Sequence, residues 1–362
     1  MITDLRKTPW PWFGGKSAAA EAVWEALGDV AHYVEPFAGS LAVLLRRPHE
    51  ANRSYYSETV NDLDGLLVNA WRSMQMSPQA TADAASWPVS EADLHARHIA
   101  IVRWKQERNL EHLMGDPFYH DPLIAGWWMW GQSSWIGSGW CSGKGAWTAD
   151  ADGRIFKQAR AVGREAGVDR NRPHIGNDGR GVNTAAVREA GVGDFHPMTM
   201  PELLRWFEFL SARLRHVRIL NGDWKRACTG GASKTIPVRM GKGICGVFFD
   251  PPYADTAGRV DNLYAEDSLS VAHDVREWCV ANGNDKDYRI ALAGFDGEHN
   301  DLETQGWTVV EWFKSGFLTG GMANTAASDG GNGVGMQQKK ERLWLSPHCL
   351  TIDKAPAQGA LL

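Results

Sequence analysis

Apolar and polar positions alternate in a regular rhythm at both ends of the chain and lose it in the middle. SAAAEAVWEAL (17–27) has helical composition, with Ser17 at its start and Gly28 behind it as a stop. AHYVEPFAGSLAVLLRR predicts a short strand, a glycine turn and a helix that opens near Ser40. SYYSETVNDLDGLLVNAWRSM repeats the pattern, with a strand to about Val60, a polar turn and a helix from about Leu63. The rhythm resumes at MPELLRWFEFLSARLRHVRILNGDW, a helix and then the strand Val217–Leu220. GICGVFFDPPY is the next strand, SVAHDVREWCVAN a helix and YRIALAGF another strand. WTVVEWFKSG and KKERLWLSP form a terminal antiparallel pair, joined by a Gly-, Asn-, Ser- and Ala-rich loop over 315–338. Strand and helix in alternation predict an α/β fold with a doubly wound, mainly parallel sheet.

Between these ends the pattern changes. Residues 77–113 are polar and helical, and an aromatic tract and a Gly- and Arg-rich run (151–193) follow with little periodicity. The expected organisation is one discontinuous domain over 1–75 and 200–350, a largely helical and loop insertion over 76–199, and a flexible tail over 351–362.

Composition narrows the class. The 362 residues are 43% hydrophobic and 22% charged, as in ordinary soluble domains, and no apolar run reaches the length of a membrane span. The N-terminus lacks the apolar segment of a secretory signal, so a cytoplasmic protein is expected. The five cysteines are dispersed without a CxxC pair, which argues against a disulfide framework and a cysteine zinc site. No HExxH, no H-x-E…CxxC and no G-x-S-x-G occurs, so no metal is expected and hydrolase chemistry is not indicated. The net charge of −5 requires any nucleic-acid contact to come from a local basic face.

The chemistry concentrates at predicted strand ends. In VEPFAGSLAVLL a glycine, Gly39, bends the chain where a backbone can approach a ligand, and Asp62 follows at the end of the next strand, where an acid reaches a ribose hydroxyl. Without G-x-G-x-x-G, a ligand with a ribose but no pyrophosphate fits better, and S-adenosylmethionine is such a ligand. The pair reads equally as a turn glycine and a helix N-cap. PWFGGK sets Lys16 before a helix, suited to a carboxylate or simply solvated. NGDW offers Asp223 and Trp224, an acceptor and a flat ring for an adenine, or else a turn acid and a core indole.

DPPY (250–253) is far more specific. Proline averages about 5% of residues, so a given Pro-Pro pair arises about once in 400 positions, before the acid and the aromatic are required. Asp250 accepts one hydrogen of an NH₂ group, a carbonyl held by Pro251 and Pro252 accepts the other, and Tyr253 stacks on the ring. Two acceptors draw the amine nitrogen towards tetrahedral geometry and free its lone pair for attack on an electrophilic methyl.

The ordered set FGGK, EPFAGS, NDLD, GDW and DPPY resembles the Dam-like (D12 class) DNA adenine-N6 methyltransferases, and GEH and SPHCL near the C-terminus look closest to phage-type members. The resemblance covers about 1–75 and 200–350. It implies a Rossmann-like methyltransferase sheet that uses S-adenosylmethionine on double-stranded DNA, in a bacterium or phage-infected host. It further implies that Trp12, Phe13 and Lys16 line the cofactor's methionine end, that Glu35, Phe37 and Gly39 cradle its backbone, and that Asp62 takes the ribose. Asp223 and Trp224 then take the adenine, and Asp250 to Tyr253 hold the target amine. The insertion becomes the target-recognition region. There the run 153–180, with Arg154, Lys157, Arg160 and Arg172, is suited to phosphates beside stacking residues such as Trp135, and reads equally as solvated arginines over a tryptophan mini-core. Arg205, Arg213, Arg215 and His216 read as one solvated helix face. Cytosine-N4 methylation needs the same amine geometry, and a catalytically inactive DNA-binding module of this fold is the other alternative.

Overall fold

The computed structural model describes residues 6–10, 12, 15–48, 57–88, 90–107, 118–134, 140–141, 147–149, 155–157, 200–228, 243–252, 271–311 and 341–352. Helix α1 (Ala20–Leu27) leads into β1 (His32–Glu35), and β2 (Ser57–Asp62) into α2 (Gly65–Met76). Helices α3 (Pro78–Ala85), α4 (Glu91–Glu107) and α5 (Pro122–Ser134) precede a small ribbon of β3 (Trp147–Ala149) and β4 (Ile155–Lys157). Then come α6 (Met200–Leu214), β5 (Val217–Asn221), the short α7 (Lys225–Cys228), β6 (Cys245–Phe249), α8 (Val271–Asn282), β7 (Tyr288–Phe295), β8 (Thr308–Val310) and β9 (Glu341–Leu345).

The main sheet has seven strands in the order β5-β2-β1-β6-β7-β9-β8. The first five in that order run parallel, while β9 is antiparallel to both β7 and β8. This is a mostly parallel, Rossmann-like sheet, and the expected terminal antiparallel pair is present. Side chains alternate across it as the pleat demands. Tyr33, Phe248, Ala291, Ala293, Leu343 and Leu345 join α1, α2 and α6 in one core. Val34, Val247, Phe249, Ile290, Leu292 and Trp344 join Trp224, Val275, Cys279 and Trp307 in a second. Both faces are covered, which is why these strands read as nearly unbroken apolar runs.

Two expectations are corrected. The segment after Ser40 is not a helix but a series of turns ending in one 3-10 turn, Leu44–Arg46. Gly39 and Leu41 both have positive φ, 45° and 52°, which no helix accommodates. Tertiary partners instead take the backbone groups: Leu44 N–H donates to Glu35 Oε2 at 3.3 Å, and the Leu44 carbonyl accepts from Arg213 at 3.0 Å. The first half of the tryptophan tract, in turn, is helix α5 and not loop. It is apolar on nearly every side, so it shows no amphipathic period, and it is buried accordingly.

Helices α3 to α5 are continuous with the core of the sheet domain. Ala82, Ala85, Trp104, Ile124, Trp128 and Met129 lie in the same cluster as Trp71 of α2 and Trp206 of α6. Gly126 permits this, since a Cβ there would stand 2.4 Å from the Ala84 Cβ. Of the expected tail, Thr351 and Ile352 are described, Ile352 packing against that core, and 353–362 lie outside the described residues.

Candidate active site

In this strand order the chain leaves β1 towards one edge of the sheet and β6 towards the other. Their carboxyl ends therefore flank the topological switch point, where open α/β sheets receive ligands. The neighbouring strand ends are locked together by Asn61 of β2. Its buried side-chain amide donates to the carbonyls of Pro36, after β1, at 3.1 Å and of Gly222, after β5, at 2.9 Å.

Gly39 lies at the centre of one half of this edge. Its N–H donates to Asp62 Oδ2 at 2.9 Å, and its carbonyl accepts from the Trp71 indole N–H at 3.0 Å. A Cβ on Gly39 would lie 2.9 Å from Trp12 Nε1, so the glycine is held from below and capped by an indole. The other Asp62 oxygen accepts from Asp64 N–H at 2.9 Å, and Asp64, not Asp62, is the N-cap of α2. Burial raises the Asp62 carboxyl to about 6 against the pull of these two amides. Gly39→Ala forces a side chain into a left-handed turn under Trp12. Its expected cost is about 1–2 kcal/mol of stability, read from the urea midpoint.

The other half holds the charges. Lys16, buried just ahead of α1, places Nζ 3.0 Å from Asp250 Oδ1 and 3.7 Å from Glu341 Oε1 of β9. Burial raises Asp250 to about 6, Lys16 opposing and Glu341 and Glu298 adding to the rise. Glu35, at the end of β1, accepts from the Tyr33 hydroxyl at 3.1 Å as well as from Leu44 N–H. Burial carries it to about 8, with Asp250 contributing, so at neutral pH Glu35 is mostly protonated.

On the opposite face of the sheet, Trp224 is only 4% exposed, packed edge-on to Phe249 with ring centroids 5.8 Å apart. Phe37 lies 6.2 Å from it at an interplanar angle of 31° and is the half-buried member of the pair. Asp223 is exposed and accepts Lys225 N–H at 2.8 Å.

Lys16, Glu35 and Asp250 are thus gathered in one cluster, Gly39, Asp62 and Trp12 in a second, and Phe37 with Trp224 in a third. Pro251 is buried and Pro252 half-buried. Phe13, Tyr253, Trp135, Arg154, Arg160 and Arg172 lie outside the described residues, as do 229–242 and 312–340; Lys157 is in β4, its side chain not described. Arg213 does not belong to a solvated face. It is bidentate to Glu58, 2.6 Å from Oε2 and 2.8 Å from Oε1. Sequence reasoning missed Glu341, Tyr33, Asn61 and Trp71. The signal for Glu341 was an acid opening an apolar strand, KKERLWL.

Among the described residues no group of His, Cys, Asp and Glu side chains is arranged to hold a metal, and no helix is long and apolar enough to cross a membrane. Residues 12–98 match the family of D12 class N6 adenine-specific DNA methyltransferases, in agreement with the resemblance carried by the motifs. That segment includes Trp12, Lys16, Glu35, Phe37, Gly39 and Asp62. No curated protein matches the chain.

Proposed function

We propose that this chain, D12-class over residues 12–98, transfers a methyl group from S-adenosylmethionine to N6 of an adenine flipped out of double-stranded DNA. The observation that carries the reading is the position of Asp250 with Lys16 at the end of β6, one strand from the Gly39–Asp62 turn across the switch point. The residues fit the cofactor. The Asp62 carboxylate, hydrogen-bonded to Gly39 N–H at the mouth of the turn, suits a ribose diol, and the half-buried Phe37 offers a face to an adenine, with Trp224 packed beside it. Bound S-adenosylmethionine supplies a sulfonium-activated methyl group for direct in-line transfer.

The chain's own residues act on the target base. The Asp250 carboxylate accepts one amine hydrogen and orients the nitrogen lone pair, and the two prolines limit movement of the carbonyls beside it. Tyr253 stacks on the flipped ring. Residues 76–199 are the proposed recognition region, and Trp135, Arg154, Lys157, Arg160 and Arg172 are the proposed DNA contacts.

The test is incubation with unmethylated duplex DNA and radiolabelled cofactor, followed by nucleoside analysis. Label in N6-methyladenine is expected. Label in N4-methylcytosine overturns the choice of base, and absence of label from every DNA overturns the enzymatic reading in favour of a binding module.

A further inference from the structure

The Asp250 carboxylate faces two demands. In the structure its Oδ1 is paired with Lys16, yet under the proposed function it must accept a hydrogen from the target amine. Among the described residues, the charged and titratable groups around it come from four elements: Lys16 from the segment before α1, Glu35 from β1, Glu298 from the turn after β7 and Glu341 from β9. Of these, Glu341 shares the lysine, its carboxylate 3.7 Å from the ammonium that stands 3.0 Å from Asp250. Lys16 is 4% and Glu341 8% exposed, so water screens neither interaction effectively.

We propose that Glu341 is a positioning residue for methyl transfer, a second station that draws Lys16 away from Asp250 when the target amine docks. The inference rests on the reading of Asp250 as the amine acceptor. Its physical basis is that one ammonium stands between two carboxylates, 3.0 Å from Asp250 and 3.7 Å from Glu341, and an incoming N–H donor at the nearer one tips it towards the farther. Without Glu341 the lysine stays on Asp250 and competes with the substrate. The same loss removes a like charge from beside Asp250, which lowers the pH at which that carboxylate protonates.

The two effects have opposite signs for activity, and this distinguishes the role from a structural one. In Glu341→Gln, single-turnover methylation near pH 7.5 falls about tenfold, while the acidic limb of the pH–rate profile moves down by about one unit. Glu341→Asp, which keeps the charge, restores most of both. A measurement in the cofactor-free protein accompanies the kinetics: the ¹³C-carboxyl resonance of Asp250, assigned by its loss in Asp250→Asn, titrates about one unit lower in Glu341→Gln. A wild-type rate and profile in Glu341→Gln overturns the proposal. Equal slowing in the Gln and Asp variants with an unmoved acidic limb also overturns it. If the wild-type protein labels no DNA while the carboxyl titration still shifts, the coupling of the three groups stands and the methyltransferase reading is what fails.

Discussion

Asp250→Ala lowers the rate of methyl transfer by about a thousandfold and leaves cofactor affinity nearly unchanged. The expectation follows from the position of the residue. Asp250 follows the last residue of β6, half-buried beside the buried Lys16, whereas the Gly39–Asp62 turn that would hold the cofactor lies on the other side of the switch point. Removing the carboxylate takes away the proposed acceptor for the amine and touches none of the hydrogen bonds that shape that turn. Single-turnover methylation and equilibrium dialysis of labelled cofactor read the two quantities separately. A parallel loss of both would show that Asp250 organises the cofactor pocket. Asp250→Asn keeps the side chain's shape and tests the charge alone.

Arg213→Ala costs about 3–5 kcal/mol of stability, far more than loss of a surface charge. Its guanidinium joins α6 to β2 through both oxygens of Glu58 and caps the Leu44 carbonyl of the turn after β1. Arg47 adds a contact to Glu58 at 3.1 Å and donates to the Val30 carbonyl. Deleting Arg213 leaves the half-buried Glu58 carboxylate with Arg47 alone and the Leu44 carbonyl without its guanidinium donor, and denaturant unfolding reads the loss. The pair also imposes a pH dependence. Burial alone would raise Glu58, but the two arginines prevail and hold its carboxyl below the ordinary range. An acid whose folded value is depressed contributes stability above its unfolded value, about 4.3, and loses it as pH falls through the folded one. Wild type therefore loses stability below about pH 4.3 that Arg213→Ala, left with Arg47, has in part already lost, and the gap between the two stability curves narrows in acid.

The parts of the fold legible in the sequence were those in which local pattern and tertiary role agree. Val247-Phe248-Phe249 reads as a buried strand and is one, because both of its faces are covered. Asp62 and Gly39, read as a pair from their spacing, are joined by a hydrogen bond. The failures have physical causes. Ser40–Arg46 has helical composition, yet its backbone groups are claimed by Glu35 and Arg213, which lie far off in sequence. Helix α5 was hidden because a helix that is apolar on nearly every side has no polar face to set a period. Arg213 was indistinguishable from its exposed neighbours because one residue of helical phase separates solvent from Glu58. Glu341 became visible as part of the site only once β9 was threaded between β7 and β8, which set its carboxylate near a lysine more than three hundred residues away.

The amide of Asn61 has a thermodynamic consequence. By tying the Pro36 and Gly222 carbonyls to β2, it fixes the separation of three loop mouths during folding, with no ligand present. A ligand entering between them meets a socket whose width is already set, so the ordering entropy of these loop mouths belongs to folding and not to association. Spreading that frame would break two buried hydrogen bonds.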